Sequence, residues 1–385
     1  MLKIGIDARL YGQTGVGVYL RNLLFYLKKN VKTNFLFYIY LLPQDYDKVD
    51  FKNKNFIKKL VYSPWHTFSE QLEFCKVLYK DNLDLMHFTY FSYPVLYKRK
   101  FIATIHDTTP LIYKTGKAST KSAFLYELKF QVFKFVISQQ IKNAKLIITP
   151  TYTVKKQLTD FFGKKYSPKI KAVFEGVDYE LINEANRHSG EFAELGGRLQ
   201  NRSFEQRFRT SRNDESRFFI YIGNFYPHKN VENLIEAFSK VKTDAKLILI
   251  GPDDYFSQRL FQSINRLKQN KRIFFYHNPN KEDLVFFYKN ASALIHPSLS
   301  EGFGLPIVES MYFNLPIIAS NIDVFKEILG KKYISFNPKD LLDIAEKIKL
   351  FQKSEKKIDY GNFGKKFSFG KMAKQTLEYY NQVLV

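Results

Sequence analysis

Two carboxylates, Glu301 and Glu309, stand eight positions apart around the run Gly302-Phe303-Gly304-Leu305-Pro306. The preceding Ala293–His296 reads as a short apolar strand, and the chain from Leu305 onward reads as a helix. Pro306 falls in its first turn, where a missing N–H costs nothing. Glu301 is then on a loop, and Glu309 lies about one turn into the helix. A helix N-terminus collects unpaired N–H groups and partial positive charge, so it suits a phosphate. Gly302 and Gly304 let the backbone approach such a group closely. The two carboxylates cannot bind a phosphate, but they can accept hydrogen bonds from sugar hydroxyls. Phosphate donors set between hydroxyl acceptors describe a pocket for a nucleotide sugar.

Further candidates sit at other strand ends. Lys229, in Gly223-Asn-Phe-Tyr-Pro-His-Lys-Asn230, follows a strand and precedes a helix. An ammonium there is a point charge fit to neutralise a leaving diphosphate. His228 beside it could add a second positive charge in its protonated form. His106 and Asp107 follow the strand Phe101–Ile105. His106 can bond a sugar hydroxyl or present its carbonyl to the reaction centre, with Asp107 fixing its orientation. Gly12, Gly15 and Gly17 follow the first strand and open a helix near Val18, a weak signal shared with dinucleotide folds and ordinary turns. His87, one strand before His106, reads as a packing or acceptor-side residue.

The elements that must carry these residues alternate from end to end, which argues an α/β protein with parallel sheets. Lys3–Ile6, Phe35–Leu41, Leu83–His87, Phe101–Ile105 and Leu146–Thr149 read as strands in the first half. Phe218–Gly223, Lys246–Ile250, Ile273–Tyr276, Ala293–His296, Ile317–Ala319 and Tyr333–Phe336 do so in the second. Two Rossmann-like domains facing a central cleft are expected, with ligands beyond the C-terminal strand ends. The boundaries fall at 1–177 and 218–368, and 369–385 reads as a final helix. Between the domains, 178–217 holds seven of the thirteen arginines and no lysine, which marks it as a linker or insertion. On the helix Ser119–Lys142, Phe124, Leu128, Val132, Phe135 and Val136 form the expected core stripe. Lys121, Lys129, Phe130, Phe133 and Lys134 lie off it, a set suited to an anionic membrane surface or to a broad buried face edged by solvated lysines.

Composition sets the class. The chain of 385 residues exceeds one compact core, and Cys75 alone can form neither a disulfide within the chain nor a redox pair. No apolar run approaches the ~18 residues that span a bilayer. Asp7 and Arg9 interrupt any signal-peptide core, so a cytosolic protein is expected. The net charge of +23 fits anionic partners, whether nucleic acid, nucleotide phosphates or an acidic membrane face, or else follows from a drift of composition toward Lys, Phe, Tyr, Ile and Asn along the whole chain. No nucleic-acid recognition motif is legible.

Glu301-Gly-Phe-Gly-Leu-Pro-Ile-Val-Glu309, with His296-Pro-Ser298 before it and Met311 after it, resembles the signature of family 4 glycosyltransferases. These are retaining enzymes of the GT-B fold. The resemblance covers the whole chain, is strongest over 216–330, and implies an acceptor-side domain at 1–177, a nucleotide-sugar-binding domain at 218–368 and a last helix, 369–385, that crosses back to the first domain. It implies that Lys229 binds the donor phosphate, Glu301 the donor sugar and Glu309 the ribose. The Gly302–Leu305 amides would take the diphosphate, and the Gly15–Gly17 loop would close over donor and acceptor. His106 and Asp107 match the family's His-Asp segment facing the donor sugar. Two departures stand out: Asn224 where many members carry Arg, and Phe369 where they carry Trp. The Gly-Asn-x-x-Pro-His-Lys-Asn variant resembles bacterial mannosyltransferases of surface-polysaccharide assembly. It implies GDP-mannose, or else a UDP-hexose, as co-substrate, a glycan or lipid-linked acceptor, and no cofactor or metal. Alternatives remain open at this point. They are a glycoside hydrolase using Glu301 and Glu309, a non-catalytic nucleotide-sugar or glycan binder, and an epimerase on the same fold.

Overall fold

The computed structural model describes residues 1–30, 34–113, 123–187, 217–354 and 358–385. The chain divides into two compact units. Met1–Glu175 with Ser368–Val385 forms one, and Gly176–Phe367 the other.

In the first unit the strands are β1 (Leu2–Asp7), β2 (Phe35–Leu41), β3 (Phe56–Leu60), β4 (Leu85–Phe88), β5 (Phe101–Thr104), β6 (Leu146–Thr149) and β7 (Ile170–Ala172). They pair in parallel in the order β3-β2-β1-β4-β5-β6-β7. The Ile/Leu/Phe-rich strands β4, β5 and β6 are buried throughout, as expected where helices cover both faces of a parallel sheet. The order reverses between β1 and β4, which is where such sheets open a crevice for ligands. The edge strand β3, Phe-Ile-Lys-Lys-Leu, escapes sequence reading because only Phe56 is fully buried and its two lysines mask the pattern. The last helix, Phe369–Leu384, belongs to this unit and packs on the helix Val16–Asn30.

The second unit repeats the plan with β8 (Phe218–Ile222), β9 (Lys246–Gly251), β10 (Ile273–His277), β11 (Ala293–His296), β12 (Ile317–Ser320) and β13 (Ile334–Phe336), in the parallel order β10-β9-β8-β11-β12-β13. Its reversal falls between β8 and β11, whose registers pair Ala293 with Phe219 and Leu294 with Ile220. The segments leaving those two strands are the ones that carry Lys229 and Glu301. Within the stretch read as a linker, Tyr179–Arg187 forms a helix that packs on Lys281–Asn290 in this unit, and 188–216 lies outside the described residues.

One expectation needs correction. The helix of the first unit runs Ala123–Asn143, and Leu128, Val132 and Phe135, expected to pack inward, are 54%, 55% and 54% exposed. Ile137 and Ile141 fill the core in their place, joined by the partly buried Phe133 and by Val136 of the expected stripe. The Phe133 ring meets Phe91 at 5.7 Å and His66 at 5.8 Å. Apolar residues occur on more than one face of this helix, so periodicity alone could not say which face turns in. Lys129 and Lys134 are exposed, whereas Lys121 and the Phe124 side chain lie outside the described residues. Among the described residues no helix is long and apolar enough to cross a membrane.

Candidate functional site

The second unit gathers Lys229 and Glu301 at the switch point of its sheet. Lys229 ends a short turn, Pro227–Lys229, and Asn230 follows in left-handed backbone at φ 61°. Asn230 Nδ2 donates to the carbonyls of Pro297 (3.1 Å) and Pro338 (2.7 Å), and the Leu299 N–H donates to the His228 carbonyl at 2.8 Å. These bonds stitch the turn after β8 to the loop after β11. Across that seam Lys229 Nζ donates to both Glu301 oxygens, at 2.7 and 2.8 Å.

Glu301 is a hub. Its Oε1 also accepts from Ser298 Oγ at 2.7 Å and faces His296 Nε2 at 3.0 Å. His296 closes β11, with its ring near-parallel to Tyr221 at 5.6 Å and 16°. Burial pushes the Glu301 carboxyl up, but the Lys229 ammonium and the His296 bond outweigh it and hold the group well below the carboxylate range. Burial lowers His296, with Glu301 opposing, so the ring serves as a neutral donor through Nε2. His228 does not provide the second cation. Burial, reinforced by Lys229, pushes it down to about 4, and it is neutral at physiological pH. Asn224 adds no charge either; its main-chain carbonyl accepts from the Tyr221 hydroxyl at 2.5 Å.

Gly304 sits at φ 90° as the cap of the helix Leu305–Tyr312, with Pro306 in the first turn. A side chain there would be strained by the backbone angle and would meet the Phe325 ring at 3.0 Å. Phe303 is buried against Phe367, 5.8 Å between rings, so its contribution to a ligand is its main chain. Glu309 lies on the buried face of this helix, and the Tyr288 hydroxyl donates to its Oε2 at 2.6 Å. Burial raises the Glu309 carboxyl, and the Tyr288 bond and Lys281 offset this only in part.

The first unit builds a second cluster from β1, β4 and β5. Gly15 has φ 57° and precedes the helix Val16–Asn30. Gly17 lies inside the first turn, where a Cβ would stand 2.6 Å from the Tyr11 carbonyl. Tyr19 donates its N–H to the Gly15 carbonyl and sets its ring edge-on to His106 at 4.6 Å. His106 Nδ1 faces Glu175 Oε1 at 3.1 Å, and its Nε2 faces the Thr89 carbonyl at 3.0 Å. Glu175, which sequence reading passed over, thus orients His106 in the way expected of Asp107. Asp107 Oδ1 accepts from the Thr109 N–H at 2.7 Å. His87 is wholly buried between the Tyr380 hydroxyl and Thr104 Oγ1, and burial pushes it down to about 3. Arg9, just after β1, is buried too, bound to Asp7 and Glu70 and lying over the Phe74 ring at 4.0 Å, a structural assembly.

The partners of Glu301 were within reach of sequence reasoning, because His296 and Ser298 precede it on the same strand–loop. Tyr288 and Glu175 gave no local signal, since each reaches its partner only through packing.

Residues 202–367 match the family described as Glycosyl transferases group 1. The O-antigen chain mannosyltransferase RfbU of Salmonella typhimurium is 27% identical over 311 residues, 80% of this chain and 76% of that one. Among solved structures, the sucrose-phosphate synthase of Thermosynechococcus elongatus has a TM-score of 0.75 at 17% identity, covering 100% of this chain and 99% of that one. HepE of Anabaena, solved with UDP and glucose, has a TM-score of 0.70 at 16% identity, covering 99% and 100%. At such identities the structural likeness speaks for the fold, the GT-B architecture of two parallel-sheet α/β domains.

Proposed function

We propose that this chain, a glycosyltransferase of group 1, moves a hexose from a nucleoside diphosphate to a hydroxyl of a glycan or lipid-linked acceptor, with retention at the anomeric carbon. The observation that carries the reading is the second unit's triad of Lys229, Glu301 and Glu309 around the glycine-capped helix at Leu305. Mannose is the first choice of sugar, supported by the O-antigen chain mannosyltransferase among the relatives and by the Pro-His-Lys-Asn run. GDP-mannose is therefore the first donor to test and a UDP-hexose the next. Cell-surface polysaccharide is the setting this implies.

In the reaction, the bond from C1 to the diphosphate oxygen breaks and the acceptor oxygen bonds to the same face of C1. The acceptor proton leaves with the departing diphosphate. Lys229 and the Gly302–Leu305 amides stabilise charge on that leaving group, so transfer runs without a divalent metal. Lys229 must then exchange Glu301 for phosphate oxygens, which turns the Glu301 carboxylate toward the sugar hydroxyls. Both His106 ring nitrogens are engaged, which favours its main-chain carbonyl as the group offered to the sugar. The glycine-capped helix N-terminus between the two carboxylates favours this reading over a glycoside hydrolase, which has no phosphate to bind there. The outward stripe Leu128, Val132 and Phe135, flanked by Lys129 and Lys134, is the face proposed to meet an anionic membrane from the cytosol.

A thermal-shift screen of nucleotide sugars tests the donor. Saturation at about a hundredfold the Kd adds about 2.7 kcal/mol of stability. Proton NMR of the product then reads the anomer: an α-linked donor should give an α-linked product, and inversion or release of free sugar alone contradicts the reading.

A further inference from the structure

Glu309 is anchored on one side only. Tyr288, on the helix Lys281–Asn290, donates to Oε2 at 2.6 Å, within the short range of hydroxyl–carboxylate bonds. The Tyr288 ring is fixed by Phe313, with centroids 5.3 Å apart and planes within 6°. Oε1 has no hydrogen bond among the described residues, yet it is not one of the buried side-chain atoms sealed off without a partner. The carboxylate thus keeps one oxygen committed and one open.

We propose that Tyr288 is a positioning residue for the nucleotide, holding Glu309 so that Oε1 meets the ribose hydroxyls as an ionised acceptor. This rests on the reading that Glu309 grips the ribose. Three groups act on Glu309 from the elements around it. Tyr288 and Lys281 come from the same helix, and Asp178 precedes the helix Tyr179–Arg187. Lys281 is bound to Asp178, so much of its charge is satisfied there, and Asp178 itself opposes ionisation of Glu309. Burial drives the Glu309 carboxyl upward, which leaves the Tyr288 hydroxyl as the direct contact that favours the carboxylate. Burial and Glu309 raise Tyr288 well above its ordinary range, so it remains a donor at any working pH.

Tyr288→Phe removes the hydroxyl and keeps the ring against Phe313. Titration calorimetry with GDP and UDP from about pH 5 to 8, on wild type, Tyr288→Phe, Phe313→Leu and Glu309→Gln, separates the outcomes. Taking the ratio to wild type at each pH cancels the phosphate's own titration. Tyr288→Phe should bind about tenfold more weakly at neutral pH, the size of one hydrogen bond to a charged group, and should recover as pH rises. Phe313→Leu, which keeps the hydroxyl, should give a ratio independent of pH. A Tyr288→Phe ratio near one, or a deficit that does not vary with pH, overturns the inference and leaves the ribose assignment standing. If Glu309→Gln binds both nucleotides as wild type does, the ribose assignment itself fails and the inference with it.

Discussion

Glu301 and Glu309 share a residue type, a motif and a depth of burial (9% and 8% exposed), yet their surroundings drive them in opposite directions. Glu301 receives an ammonium, an imidazole and a hydroxyl, and the first two overcome burial and keep its charge. Glu309 receives one phenol, and burial prevails. The difference follows from place. Glu301 lies where the ends of β8 and β11 meet, so side chains of two crossovers converge on it. Glu309 lies on a helix flank, where among the described residues its hydrogen bond comes from the neighbouring helix alone. A preassembled ion pair on one side and a costly, half-satisfied carboxylate on the other suit a pocket whose second partner is the ligand.

The largest test removes the cation. Lys229→Ala should lower turnover at least about a hundredfold, as loss of a charge-stabilising donor does. Near-normal steady-state rates with purified protein would refute its assignment to the diphosphate. Next comes stability, where the two glutamates should part in sign. Glu301→Gln leaves a largely buried ammonium without its counter-charge and should cost about 3 kcal/mol in denaturant unfolding at neutral pH. The depressed Glu301 carboxyl stabilises the fold above the ordinary value of 4.5, and that stabilisation is lost as pH falls through the lower folded value. The variant's deficit should therefore close in acid. Glu309, raised in the fold, does the reverse. Its stabilising contribution is complete below 4.5 and lost as pH rises through the folded value. Glu309→Gln should match or exceed wild-type Tm at neutral pH. Two equal losses would show that the asymmetry is not real. The smallest expected effect is none: EDTA should leave transfer unchanged, and activity that disappears and returns with Mg²⁺ or Mn²⁺ would put a metal where Lys229 is assigned.

The strand–loop–helix from Ala293 to Tyr312 was legible because glycine, proline and a short apolar run signal their conformations locally. So was Lys229 at a strand end. That Lys229 and Glu301 would bind each other was not, since 72 residues separate them and only the pairing of β8 with β11 brings them together. Tyr288 looked like one more aromatic in an aromatic-rich chain, and its role exists only through the packing of two helices. The helix Ala123–Asn143 shows the opposite failure. Its sequence suggests one clear face, yet of that stripe Leu128, Val132 and Phe135 turn outward while Val136 packs inward, because several apolar stripes compete on its surface.

The central claim is that the two glutamates divide the donor, with Glu309 holding the nucleotide and Glu301 the sugar. Titration calorimetry of free GDP and UDP against Glu309→Gln and Glu301→Gln tests it most directly, because binding energy that needs the sugar cannot appear with the free nucleotide. Glu309→Gln should lose about tenfold or more in affinity, the size of a hydrogen bond to a charged group. Glu301→Gln should bind the free nucleotide as wild type does while transfer falls. Weakened nucleotide binding in Glu301→Gln with Glu309→Gln unaffected would contradict the account and reverse the two roles.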